Sequence, residues 1–209
     1  MSGGPCTLCV PISLDQMTFS VGITIIANII VLMGSPSETS RSAAVVHTIQ
    51  AEAINASYTF ETIHLRTLDA ADLLQARVQN ADIYAAHELI REAQAVIVAT
   101  PIYKASFTGL LKAFLDTLPQ YALADKVVLP IATGGSPAHL LSIDYSIKPV
   151  LSALGAEHIL RGLYLVDAQV KYVDGGIQLD ADVVTRLHDS IHSLLKRLPL
   201  TELIPAATN

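Results

Sequence analysis

The chain has 209 residues and a mass of 22.3 kDa, the size of one domain with short appendages. Hydrophobic residues make up 51% and charged residues 15%, against about 25% charged in an average soluble domain, which excludes a disordered chain, a collagen-like repeat and a polyelectrolyte tail. A net charge of -6 argues against nucleic-acid binding by bulk electrostatics, and so little charge implies surface hidden in an oligomer.

Cys6 and Cys9 are the only cysteines, so neither a four-cysteine zinc site nor a disulfide scaffold can form within one chain. Their C-x-x-C spacing falls between Pro5 and Pro11, before any periodic segment and away from a strand-to-helix junction, so no redox or metal role is expected of it. The longest apolar run, Val21 to Met33, is 13 residues and includes Thr24 and Asn28. A bilayer span needs about 20. No Lys or Arg precedes Arg41, so the run also lacks the charged flank of a secretory signal. Residues 1–28 read as a poorly ordered appendage, with Met17 an alternative start, and the protein as cytoplasmic with no membrane span.

From Ile29 the chain alternates short apolar runs with segments of helical period. IIVLMG (29–34) is a continuous apolar run, as expected of a strand buried on both faces. A helix follows over 43–54, and TFETIHL (59–65) alternates like a strand nearer an edge. Residues 81–93 read as a helix, AVIVAT (95–100) as a buried strand, 107–118 as a helix ending before Pro119, and KVVLPIATGG (126–135) as a third buried strand. A helix over 138–155 ending at Gly155, a fifth strand over 158–167 and a helix over 180–198 complete the series, with 199–209 a tail. Five strands separated by helices make βαβ units, hence a doubly wound parallel α/β sheet in one domain over 29–198. Pro130 would cost a central strand one ladder bond, and a bulge near a ligand is one way to accommodate it.

Ligands of such sheets bind beyond the carboxyl ends of the strands, where strand order reverses. The first apolar run is followed by GSPSETSRS (34–42), one glycine, four serines, one threonine and one arginine, leading into a helix. Helix-start N–H groups, hydroxyls and a guanidinium suit a phosphate dianion. An ordinary N-cap by Ser40 or Ser42 is the plainer alternative. Neither G-x-G-x-x-G nor a Walker motif is present, so a monophosphate such as that of FMN fits better than a pyrophosphate. TPIYKASFTG (100–109) and TGGSPAH (133–139) follow the next two buried runs. Pro101 and Tyr103 offer a rigid turn and an aromatic face, and Gly134 with Gly135 permits close backbone approach. Each loop alone is explained by turn chemistry; together, beside a phosphate loop, they describe a flavin site.

These segments, with DYSIKPVLSALGA further on, resemble the NADPH-dependent FMN reductases of flavodoxin-like fold, above all the reductases of two-component alkanesulfonate monooxygenase systems. The resemblance covers about residues 29–198. It implies a five-stranded parallel sheet of order 2-1-3-4-5, FMN with NADPH or NADH as cofactors, and a homodimer or tetramer. It further implies reduced flavin handed to a flavin-dependent monooxygenase that desulfonates organosulfonates. Ser35, Ser40, Arg41 and Ser42 match the family's phosphate-binding positions; Pro101, Ile102, Tyr103, Lys104 and Ser106 match the loop along the isoalloxazine; Thr133, Gly134 and Gly135 match the third flavin loop. Relatives often carry an arginine where this chain has Ser37, which removes one positive charge from the phosphate region.

The resemblance also places Tyr145 as an inserted residue in a π-helical turn at a subunit interface; an ordinary amphipathic position is the alternative. Hydride transfer between a nicotinamide and a flavin needs no protein nucleophile and no metal, so no catalytic side chain is assigned. Lys104 is either a cationic helper or a solvated rim lysine. His188 and His192 have metal-pair spacing without a third ligand, His139 faces the ligand or caps its helix, and Asp116 is structural or interfacial. An FMN-retaining quinone, azo or metal-ion reductase and a non-enzymatic flavodoxin-like carrier are the competing functions, the latter disfavoured by a charge of only -6.

Overall fold

A computed structural model of the protein describes residues 27–53, 58–173 and 176–198; the expectations for the N-terminal appendage, for Cys6 and Cys9 and for the tail fall outside these. The apolar runs rich in β-branched residues form Ala27–Met33 (β1), Ala95–Tyr103 (β3) and Val127–Gly134 (β5), and the alternating run forms Tyr58–His64 (β2). All four are parallel, in the order β2-β1-β3-β5. The outer edge of β5 pairs with His158–Ile159 (β6) and then Leu163–Val166 (β7). Taking those two as one interrupted strand gives the doubly wound order 2-1-3-4-5.

Side chains of alternate strand residues leave on opposite faces, and the core divides accordingly. Ile30, Leu32, Val96, Val98 and Val128 meet Ala70–Leu74 (α2), Ala81–Glu92 (α3), Gly109–Leu115 (α4) and Lys148–Ala153 (α5) on one face. Ile29, Val31, Ile97, Leu129 and Ile131 meet Arg41–Ala53 (α1) and Ala181–Leu195 (α6) on the other. In α6 the buried residues Val183, Leu187, Ile191 and Leu194 hold one helical stripe. Local chemistry sets the starts: the side chains of Asn80 and Thr108 cap α3 and α4. Lys126 Nζ closes the other end of α3 by donating to Arg91 O and Ala93 O.

Four elements depart from the pattern expected from sequence period. The fifth strand is split at Gly162. Leu129 and Pro130 of β5 face three residues, Leu160, Arg161 and Gly162, between the paired segments. Leu160 N–H donates to Val128 O at 2.8 Å. Alternate residues bond the same neighbour, so Pro130, which has no N–H, also faces this edge. The expected bulge therefore lies in the neighbouring strand, and the missing ladder bond coincides with it.

The helix expected over 138–155 is instead a 3₁₀ turn (Pro137–His139), a π-helical turn (Ile143–Ile147) and then α5; the π-helical turn holds Tyr145, as the resemblance implies. Lys148 N–H bonds to Ile143 O, five residues back, and Pro149 has no N–H to restore the α pattern. Finally, the segment after the fifth strand is a hairpin, Val170–Val173 (β8) with Gly176–Leu179 (β9), and a short antiparallel strand, Ser106–Phe107 (β4), folds back on the end of β3.

Two predictions concern stability. A Cβ on Gly34 would sit 2.9 Å from Leu111 Cβ, where α4 crosses the end of β1. Gly34→Ala should cost about 1–3 kcal/mol by overpacking, read as a lower urea midpoint with unchanged slope; an unchanged midpoint would show that α4 can give way. His87 packs edge-on against Phe114, its Nε2 is 2.8 Å from Thr117 Oγ1, and burial holds its pKa below the ordinary value. The folded protein thus takes up that proton less readily than the unfolded chain. Its contribution is full above about pH 7 and declines as pH falls below about 6.5. The urea midpoint should fall between pH 7.5 and 5.5, and fall less in His87→Gln; identical slopes for the two proteins would contradict it.

Candidate functional site

Strand register brings the three loops to one rim. Met33 of β1 pairs with Ala99 of β3, and Pro101 of β3 pairs with Thr133 of β5. Just past the strands, Gly34 N–H donates to Ala99 O at 2.8 Å, and Thr108 Oγ1 donates to Gly34 O at 2.6 Å while accepting from Leu111 N–H. The first loop is thereby tied to the second and to the start of α4. This is the point where the chain reverses direction across the sheet, β2 lying to one side of β1 and β3 to the other.

In the first loop, Ser35 and Ser42 are fully buried. Ser35 Oγ folds the loop on itself by bonding Ser37 N–H and Ser37 O. Ser40 is the N-cap of α1: its Oγ accepts from Ala43 N–H at 3.2 Å and lies 3.1 Å from Ser42 Oγ. Among the described residues, the N–H groups of Arg41 and Ser42 donate to no protein acceptor, as first-turn donors do. The N-cap and the phosphate cradle are therefore compatible, since capping uses only one of these donors.

Arg41, the first residue of α1, does not project freely. Its Nε donates to Val170 O at 3.2 Å, its Nη1 lies 3.3 Å from Asp167 Oδ2, and its guanidinium stacks 5.7 Å from the ring centre of Tyr172. Tyr172 in turn donates its hydroxyl to Thr39 O at 2.7 Å, so the β8–β9 hairpin is pinned onto the first loop.

In the second loop, Pro101 and Ile102 are buried at the end of β3 and Tyr103 is half-exposed. Lys104 and Ala105 form the two-residue turn into β4, both left-handed with φ of 50° and 66°. That is the geometry of a type I′ hairpin, held here without glycine at a cost of roughly 1–2 kcal/mol per residue. Lys104 is exposed at its tip. Ser106 Oγ lies 2.5 Å from Ser146 Oγ, which joins this loop to the π-helical turn. Tyr145, in that turn, is 80% exposed beside Leu140 (54%) and Leu141 (60%).

The third loop carries Thr133, buried, and the two glycines. A Cβ at Gly134 would collide with the Tyr164 hydroxyl, which donates to Ser136 O at 2.7 Å. At Gly135 a Cβ would meet only Asp167 Oδ2, at 4.0 Å, so this backbone faces open space that a flat ring can approach. Burial and the nearby Asp167 carboxylate hold the Tyr164 phenol above its usual pKa, so it stays a neutral donor.

All twelve flavin-site positions named from the sequence thus lie on these three adjoining loops. Tyr164, Asp167 and Tyr172, which lie in no motif of the sequence, border the same rim. His139 ends the 3₁₀ turn beyond the third loop, and Asp116 ends α4 in an ion pair with Lys112. The residues present fit a flavin mononucleotide: free N–H groups and hydroxyls for a phosphate, and a side-chain-free strip for a ring.

The chain's likeness to known proteins agrees. Residues 27–171 match the family model of NADPH-dependent FMN reductase. An FMN reductase (NADPH) of Pseudomonas putida is 45% identical over 79% of this chain and 87% of its own. One from Escherichia coli is 41% identical over 81% and 89%. The crystal structure of an NADH:FMN oxidoreductase in its apo form superposes with a TM-score of 0.75 at 39% identity, over 84% of this chain and 91% of the other. The chain belongs to the NADPH-dependent FMN reductase family, oxidoreductases whose chemistry runs between a nicotinamide dinucleotide and FMN.

Proposed function

We propose that this protein reduces FMN with NAD(P)H and releases the reduced flavin to a separate monooxygenase, one acting on organosulfonates. What carries the reading is the meeting of the 34–42, 100–109 and 133–139 loops at the strand-order reversal. In it, the N–H groups of Arg41 and Ser42, the hydroxyls of Ser35, Ser40 and Ser42, and the Arg41 guanidinium hold the phosphate. Pro101, Ile102, Tyr103 and Ser106 bound the ring on one side, and Thr133, Gly134 and Gly135 on another. Bound FMN supplies the hydride-accepting centre, so no side chain needs to act as acid, base or nucleophile. The protein's part is to stack nicotinamide on flavin and to meet developing negative charge with the backbone N–H groups that the ladder leaves over within 103–106 and 134–135, those of Lys104, Ala105 and Gly135. Lys104, at the tip of its hairpin, adds positive charge at the rim.

The handover to a partner is supported by the sparse charge at the phosphate loop. Arg41 is the single cation of the 34–42 loop, Ser37 standing where the resemblance implies a second. Assembly of identical subunits, as a dimer or tetramer, is supported by the exposed apolar patch of Leu140, Leu141 and Tyr145. Among the described residues no helix is long and apolar enough to cross a membrane.

Steady-state NADPH and NADH oxidation, measured with and without added FMN, tests the function. The expected result is turnover that rises with free FMN and saturates. A protein that keeps one FMN through purification and ignores more would instead be a flavin-retaining reductase, and one that oxidises neither dinucleotide in excess FMN would be no reductase. Arg41→Ala should weaken FMN binding by about ten- to a hundredfold, the value of a charge-assisted phosphate contact. Equal affinity in the variant would move the phosphate elsewhere.

A further inference from the structure

The geometry points to Asp167 as a built-in competitor of the flavin phosphate for Arg41, a residue that sets how readily FMN leaves. The inference rests on the 34–42 loop being the phosphate site. Asp167 follows β7, whose last residue Val166 is in register with Gly134, so the carboxylate is delivered level with Gly135. Its Oδ2 lies 3.3 Å from Arg41 Nη1 and 4.0 Å from where a Gly135 Cβ would be. An acid thus stands between the first and third loops, in a site read as taking a dianion.

The backbone that carries Asp167 is held by bonds on both sides. Gln169 Oε1 accepts from Val166 N–H at 3.0 Å, closing the turn that carries Asp167. Tyr164 anchors the same strand end to the third loop through Ser136 O. Neither bond involves Arg41, so the backbone that carries Asp167 stays beside the first loop whether or not the ion pair is made.

Magnitudes favour exchange. The Arg41 and Asp167 side chains are 38% and 39% exposed, and an ion pair that open to solvent is worth little. A phosphate offers the same guanidinium charge-assisted, potentially bidentate bonds, about twice as strong as neutral ones. Incoming FMN therefore takes Arg41 from Asp167, but at the cost of that pair and against a carboxylate that remains beside the dianion. The retained acid lowers net affinity, and on departure of the flavin Asp167 recaptures Arg41. For an enzyme that hands its flavin on, weak holding is the useful state.

The test is equilibrium titration by flavin-fluorescence quenching, with FMN and with riboflavin, of the full chain and of Asp167→Asn, Arg41→Ala and the double variant. Asp167→Asn should bind FMN about five- to tenfold more tightly and riboflavin, which has no phosphate, within twofold of the original. In the Arg41→Ala background the gain should shrink to within twofold. Unchanged or weaker FMN binding by Asp167→Asn would overturn the inference, showing that Asp167 orients Arg41 or does nothing. An equal gain for riboflavin would overturn it too, since the effect would not run through the phosphate. If Arg41→Ala alone leaves FMN affinity untouched, the phosphate-site reading itself fails, a result distinct from failure of the Asp167 step.

Discussion

Two hydrogen bonds at the exit of the first strand organise the rim on which everything else stands. Gly34 gives its N–H to Ala99 O and its carbonyl to Thr108 Oγ1, so the first turn out of β1 is stitched to the end of β3 and to the cap of α4. The absence of a side chain at Gly34 is what lets α4 approach this closely. Because β1, β3 and β5 are neighbouring parallel strands, all three loops must open on the same side. A backbone stitched in this way presents N–H groups and small residues at fixed spacing, which is preorganisation for a ligand rather than chemistry by side chains.

Around that rim the charges are balanced rather than piled up. Arg41 is held by Asp167, Val170 O and the Tyr172 ring, and Glu38 of the same loop pairs with Arg66. A site built to bind a dianion as tightly as possible would leave its cation unpaired and would keep carboxylates away. With Arg41 the one cation of its loop and Asp167 paired to it, the arrangement agrees with the proposed passage of FMN through the site.

The strands and loops at the centre of the sheet were legible in the sequence because burial on both faces removes polar residues. The runs at 29–34, 95–100 and 126–135 therefore stand out, and the polar loops stand out against them. Legibility failed at the sheet edge. Pro130 was visible as a defect, but that the neighbouring strand would absorb it at Gly162 depends on a pairing that no local pattern encodes. The apolar spacing of 138–155 is close enough to helical that the π-turn is invisible by period alone. The VKYV and GIQL segments, meeting at Gly175 and Gly176, carry a hairpin signal too short to stand out behind the strand expected over 158–167. Asp167 was hidden for the same reason: it sits after the fifth strand, outside the loops that follow β1, β3 and β5, and only the tertiary fold brings it to Arg41.

The most direct test of the account is a crystal structure of the protein soaked or grown with FMN. The account predicts phosphate oxygens within hydrogen-bonding distance of Arg41 and Ser42 N–H and of the Arg41 guanidinium, with the isoalloxazine lying between the 101–106 loop and Gly134–Gly135. Well-defined FMN bound anywhere else on the molecule, with these loops empty, would contradict it.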